Sequence, residues 1–94
     1  TSTDHFYVFP EHCPDHLFDQ QIKAAQKIGI RFQPTRGSMS RGKDKGGLPP
    51  NDVVQSEDKI LADCERVIKA YHDPDPLAMI KIALAPCSPF SVTP

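Results

Sequence analysis

Two side chains in this 94-residue sequence lie beside short extended runs and have the chemistry to handle a polar ligand: His5, next to Phe6-Tyr7-Val8-Phe9, and Arg36, in Pro34-Thr35-Arg36-Gly37. A guanidinium is a rigid fork of donors that can give two hydrogen bonds to a carbonyl oxygen, so Arg36 is a candidate ligand-binding group. The competing reading is an arginine that braces a loop through backbone carbonyls. An imidazole both donates and accepts near neutral pH, which makes His5 a candidate for lining a pocket and orienting what binds there; the alternative is a loop histidine bonded to its neighbours. His12, Cys13 and His16 bring together metal-ligating types. Pro14 interrupts them and no fourth ligand stands at a zinc-finger spacing, so they are not read as a metal site. Cys87 lacks a cue for a base that would activate it and is read as packing, while Cys64 falls in an apolar helical stripe and is read as core. Arg41, Lys43 and Lys45 share a glycine-rich stretch with neither a phosphate-loop string nor interleaved aromatics, and read as a solvated loop.

Composition limits what can position these groups. Eleven Lys and Arg oppose twelve Asp and Glu, for a formal charge of −1, so no overall field draws the chain to nucleic acid or an anionic membrane. Hydrophobic residues make up 38%, and ten prolines with five glycines break up regular structure, which leaves a thin core. No apolar run approaches the roughly 18 residues of a membrane span, and Thr1 to His5 is too polar for a signal peptide, so a cytoplasmic protein is expected. The three cysteines are widely and irregularly spaced, as expected of reduced thiols. The start without Met and the stop at Pro94 just after an apolar stretch read as the ends of a piece cut from a longer chain.

The elements follow from the pattern. After an opening turn over residues 1–4, the aromatic run to Phe9, closed by Pro10, reads as a strand tail. Pro14 and Asp15 begin a helix carrying Leu17, Phe18, Ile22, Ala25 and Ile28 on one face and ending at Gly29. Residues 30–34 alternate as a short strand, and a long loop covers 38–54. Ser56 caps a second helix with Ile60, Leu61, Cys64, Val67, Ile68 and Tyr71 in one stripe. Residues 79–84 are apolar except for Lys81 and read as a buried strand ending near Cys87. Strands alternating with helices give an α/β arrangement of about three parallel strands and two helices with right-handed crossovers. Such a sheet needs cover on both faces or closure into a barrel, and this span alone supplies neither.

Four strings in this order, Thr3-Asp4-His5 with Tyr7 and Phe9-Pro10, Pro34-Thr35-Arg36-Gly37-Ser38-Met39-Ser40, Gly46-Gly47-Leu48-Pro49-Pro50, and Leu84-Ala85-Pro86-Cys87-Ser88-Pro89-Phe90-Ser91-Val92, resemble the amidohydrolase superfamily in its aminohydrolase branch. That branch includes deaminases of 8-oxoguanine and of hydroxylated triazines. The resemblance implies a partial TIM-like (β/α) barrel, with this chain as its second to fourth strands, out of a whole of about 250 residues. It implies zinc or a similar divalent metal in the complete enzyme, held by residues after the first, fifth, sixth and eighth strands, none of them in this span. A metal-bound hydroxide would there attack the amine-bearing carbon of a heterocycle. Arg36 and His5 become the implied substrate-binding residues, the first toward a carbonyl oxygen of an oxidised purine or triazine. The sequence departs from close relatives at Phe6 and Gln33, where histidines are common, and both positions are expected to face the pocket. The implied partners are a small-molecule heterocycle and the remainder of the barrel, with self-association of the isolated chain, and neither nucleic acid nor membrane. The alternative function is a non-enzymatic interaction module that pairs through exposed strand edges.

Overall fold

The structure, a computed structural model, describes residues 1–13 and 16–94; Pro14 and Asp15, where the sequence places the start of the first helix, lie outside the described residues. Strand β1 (Ser2–Phe6), helix α1 (Leu17–Ile28), strand β2 (Phe32–Ser38), helix α2 (Glu57–Tyr71) and strand β3 (Ala83–Pro86) follow in that order, with 3-10 turns at Lys43–Lys45 and Asn51–Val53. The sheet order is β1-β2-β3 and both pairings are parallel, with His5 opposite Thr35 and Thr35 opposite Ala83. The α/β arrangement of three parallel strands and two helices is as the periodicity predicts. Among the described residues no helix is long and apolar enough to cross a membrane.

Strand limits differ from the pattern for physical reasons. β1 starts at Ser2, within the expected opening turn, and the aromatic run leaves the sheet after Phe6. Phe9 is buried and packs edge-on against Phe6 at 5.2 Å between ring centroids, so hydrophobicity marked the segment that dips into the core instead of the strand. β2 runs four residues beyond Pro34. The Phe32 N–H donates to Met79 O at 2.8 Å, and residues two apart face the same neighbour, so Pro34 presents its missing donor toward β3. The β2 to β3 ladder is accordingly interrupted there, with an isolated bridge at Phe32 and Ile80 before pairing resumes at Thr35 and Ala83.

Helix ends are set by single residues. Gly29 closes α1 at φ 75°, a left-handed turn that favours glycine, and its N–H donates to Ala25 O at 3.0 Å. Ser56 Oγ accepts from the Lys59 N–H at 3.3 Å and starts α2. The helices press Phe18, Ile22, Ala25 and Val67 onto one sheet face, where Phe9, Ile80 and Ile82 complete the core. Ile28 and Leu61 are 75% and 66% exposed, so each stripe is narrower than the sequence reading. The long loop is tied down: Ser40 and Arg41 N–H groups both donate to Ser91 O at 2.9 Å, Leu48 N–H to Phe90 O at 3.0 Å and Gln55 N–H to Met39 O at 2.9 Å.

A chain of ion pairs and hydrogen bonds joins the two helices. Asp19, buried on α1, accepts both arms of the Arg66 fork at 2.9 and 2.8 Å and the Tyr71 hydroxyl at 2.5 Å. Arg66 also donates to Asp63 at 2.9 Å. Burial pushes the Asp19 carboxyl up, but the Arg66 and Tyr71 hydrogen bonds outweigh it and hold the group below the usual carboxylate range. Tyr71 is raised, by that same hydrogen bond and then by burial. A carboxylate depressed on folding contributes stability that is full above its unfolded pKa of about 3.9 and is lost as pH falls through the folded value. We expect urea titrations of the chain in an osmolyte background to show stability falling below about pH 4. Asp19→Asn should cost about 3 kcal/mol near neutral pH and flatten that acid slope, since it leaves Arg66 without its buried partner.

Candidate functional site

Parallel register sorts the strand side chains onto two faces, because partners opposite each other point the same way. Phe6 and Arg36, with Phe32, Pro34, Ile80 and Ile82, face the helices. The other face carries Thr3 and Gln33, then His5, Thr35 and Ala83, then Gly37 and Ala85. Among the described residues no helix lies over it, and its floor is made of small side chains.

The imidazole of His5 crosses this face. Its Nε2 lies 3.1 Å from the carbonyl oxygen of Ala85, so a β1 side chain reaches over β2 to β3. That path exists because Gly37 has no side chain: a Cβ there would stand 2.7 Å from His5 Nε2, 2.8 Å from its Cδ2 and 2.6 Å from Tyr7 Cβ, all closer than atoms tolerate. The Tyr7 ring sits beside the imidazole, 4.9 Å between centroids at 58°. A polar ring pair over an Ala and Gly floor, at the C-terminal ends of the strands, can seat a flat polar ring and hydrogen-bond its edge.

Arg36 is elsewhere. It is 1% exposed and turned into the helix layer, not toward the uncovered face. Its Nε donates to Asp63 Oδ2 at 2.8 Å, its Nη2 to Gln55 Oε1 at 3.0 Å and its Nη1 to the carbonyl of Gly37, while the guanidinium carbon lies 3.7 Å from the Phe9 ring centroid. The fork expected to meet a ligand is therefore occupied by the protein, though not as a loop brace through backbone carbonyls: two of its three partners are side chains, and the one carbonyl belongs to its own strand. The reason is strand parity: β2 continues past Pro34, so Arg36 shares the side of Phe32. The same parity corrects Phe6, which packs on the core with Phe9 and Phe18 instead of facing a pocket. Gln33 does lie on the uncovered face, at the N-terminal end of β2.

The remaining candidates are quickly placed. Among the described residues no group of three or more His, Cys, Asp or Glu side chains could hold a metal ion. Cys13 packs against the core, and exposed His16 takes a left-handed conformation at φ 62°. Cys64 is buried, and burial pushes its thiol up against a smaller opposing pull from Arg36. Cys87 is half-buried, with its N–H donating to Ser38 O at 2.9 Å. Arg41 bends back to donate to Lys45 O at 2.9 Å, and Lys43 and Lys45 are exposed. Sequence reasoning missed Gly37 and Ala85 as parts of the site, although a glycine inside a strand marks close approach by another group. It also missed Asp63 and Arg66, neighbours one turn apart on α2, and Asp19, which reaches them across from α1.

No family model matches the chain. It is 50% identical over its full length to an 8-oxoguanine deaminase of Pseudomonas aeruginosa, covering 21% of that protein. It is 37% identical over its full length to a hydroxydechloroatrazine ethylaminohydrolase of a Pseudomonas species, covering 20%. The chain thus spans about one fifth of the length of the curated relatives it matches. Among solved structures, 97% of the chain superimposes on an atrazine chlorohydrolase from Arthrobacter aurescens complexed with zinc, with a TM-score of 0.90, 36% identity and 20% of that protein covered. With half its residues shared with one deaminase along its whole length, and its strands and helices superimposing on the matching fifth of a triazine-degrading hydrolase, the chain belongs to the amidohydrolase superfamily.

Proposed function

We propose that this chain forms the second to fourth strand segment of an aminohydrolase barrel and supplies one wall of the pocket in which a nitrogen heterocycle, of the 8-oxoguanine or hydroxytriazine class, loses an exocyclic amine. The carrying observation is the uncovered sheet face, where His5 bridges from β1 to β3 over Gly37, in a chain that is 50% identical throughout to an 8-oxoguanine deaminase. The reaction adds water at the amine-bearing carbon and releases ammonia. On this wall His5 binds and orients the ring. Arg36 acts at one remove: by holding the Gly37 carbonyl from the helix side it fixes the peptide on which the imidazole rests. The zinc named with the Arthrobacter structure supports a metal in the complete enzyme. The described residues of this span offer it no ligand set, so no step of the reaction is assigned to a metal here.

The reading is tested on the chain alone and in a chimera. The 94-residue chain alone should release no ammonia from 8-oxoguanine or a hydroxytriazine with any divalent metal added. With one sheet face and both sheet edges uncovered, it should also sediment as an associating species, and a monomer with slowly exchanging amides across all three strands would favour an independent module instead. A chimera of the P. aeruginosa 8-oxoguanine deaminase, its matching residues replaced by this chain, should deaminate 8-oxoguanine. Gly37→Ala in that chimera should lower kcat/KM by about tenfold or more. The loss should shrink when His5→Ala is already present, because the two changes act on one contact. A folded chimera without activity, or a Gly37→Ala effect fully additive with that of His5→Ala, would overturn it.

A further inference from the structure

The surroundings of His5 decide which of its nitrogens is free. Its Nε2 lies 3.1 Å from the Ala85 carbonyl oxygen, and a carbonyl only accepts. In the neutral imidazole the proton therefore sits on Nε2, and Nδ1 keeps its lone pair. Turning the ring over would exchange Nε2 for a carbon and set a C–H against that oxygen, so the contact also fixes which edge faces outward. Gly37 lies directly beneath Nε2 and Cδ2, and Tyr7 stands alongside, so the ring has little freedom to slide. Among the described residues Nδ1 has no hydrogen-bond partner, and His5 is exposed on the uncovered face. The sheet thus presents an acceptor held in a fixed orientation, with the ring's own donor turned to Ala85.

From this geometry we infer that Nδ1 of His5 is the substrate-facing acceptor of this pocket and that it selects heterocycles carrying a ring N–H, as lactam-type rings do. A ring nitrogen or carbonyl oxygen placed there would oppose one lone pair to another. An alkylated ring nitrogen would lose the bond and collide with the imidazole. The inference rests on the uncovered face being the substrate wall, and it adds which hydrogen-bonding pattern the wall accepts. An acceptor covered by a bound ring but left without a donor should lower kcat/KM by about tenfold or more.

The test uses the same full-length chimera. With histidine nitrogens labelled with 15N, the neutral His5 should show a protonated Nε2 and an unprotonated Nδ1, and adding 8-oxoguanine should move the Nδ1 resonance far more than that of Nε2. In kinetics, one of the singly ring-N-methylated 8-oxoguanines should fall about tenfold or more further than its isomers. His5→Phe, which keeps a flat ring over Gly37 but has no acceptor, should erase that difference. A proton on Nδ1 of the neutral ring, an Nδ1 resonance indifferent to ligand, or an unchanged methyl-isomer profile in His5→Phe would overturn the inference while leaving deamination itself intact. A folded chimera that shows the expected 15N response yet releases no ammonia would support it and overturn the proposed reaction instead.

Discussion

Arg36 is the largest fully buried side chain in the molecule, and its charge cannot stay in a thin core without partners. Much of the tertiary arrangement answers that demand. Asp63 comes from α2, Gln55 from the end of the loop that leads into α2, the Gly37 carbonyl from β2 itself, and the Phe9 ring from the segment after β1. Asp63 in turn shares its second oxygen with Arg66, which carries the pairing on to Asp19 and Tyr71. An apolar residue at position 36 would fill the volume but would leave Asp63 and Gln55 with no common partner. The helix layer would then lose the contacts that set α2 against β2.

That buried charge also divides the sheet. The side carrying Arg36 is given over to packing, with large apolar side chains and a paired ionic chain. The other side carries Thr3, His5, Gln33, Thr35, Ala83 and Ala85, small or polar groups that neither form a core nor repel water strongly. A sheet of parallel strands is ordinarily covered on both faces by apolar side chains. Here the contrast between faces is that of a barrel wall near its C-terminal rim, where interior positions meet ligand instead of other side chains. Gly37 couples the two sides: its carbonyl is held by Arg36 from the helix layer, and its missing side chain admits His5 on the other.

Much of this was legible in the sequence, and what was not failed for identifiable reasons. Capping at Ser56 and Gly29 and the helical stripes are local signals, so both helices were placed closely. Strand limits depend on partners: the polar segment Ser2–Phe6 becomes a strand only because β2 lies beside it, and a proline in a central strand runs against the usual reading of where strands stop. Of the misjudged limits, the one at Pro34 had the largest consequence, since two more residues of alternation send Arg36 to the helices and leave His5 as the group that meets the open face. His5 was found by type and position, but the residues that hold it, Gly37 and Ala85, come from two other strands and are near neighbours only in three dimensions. The Asp19 and Arg66 pair, 47 positions apart, has no signature in the sequence at all.

The uneven distribution of chemistry follows from how a barrel site is assembled. Catalytic groups at the C-terminal face come from the ends of several different strands, so any run of consecutive strands holds only a sector of the site. Under the proposed reading this sector orients: its polar groups at the C-terminal end of the open face are an imidazole anchored to a backbone carbonyl, a phenol beside it and a threonine next to them, and the paired charges lie on the helix side. An orienting wall gains from rigidity more than from charge, because a ring displaced by about 1 Å loses much of the advantage of being held. The ionic chain from Tyr71 to Arg36, the glycine under the imidazole and the loop tied to Ser91 all serve that rigidity, each by fixing the C-terminal ends of the strands from a different direction.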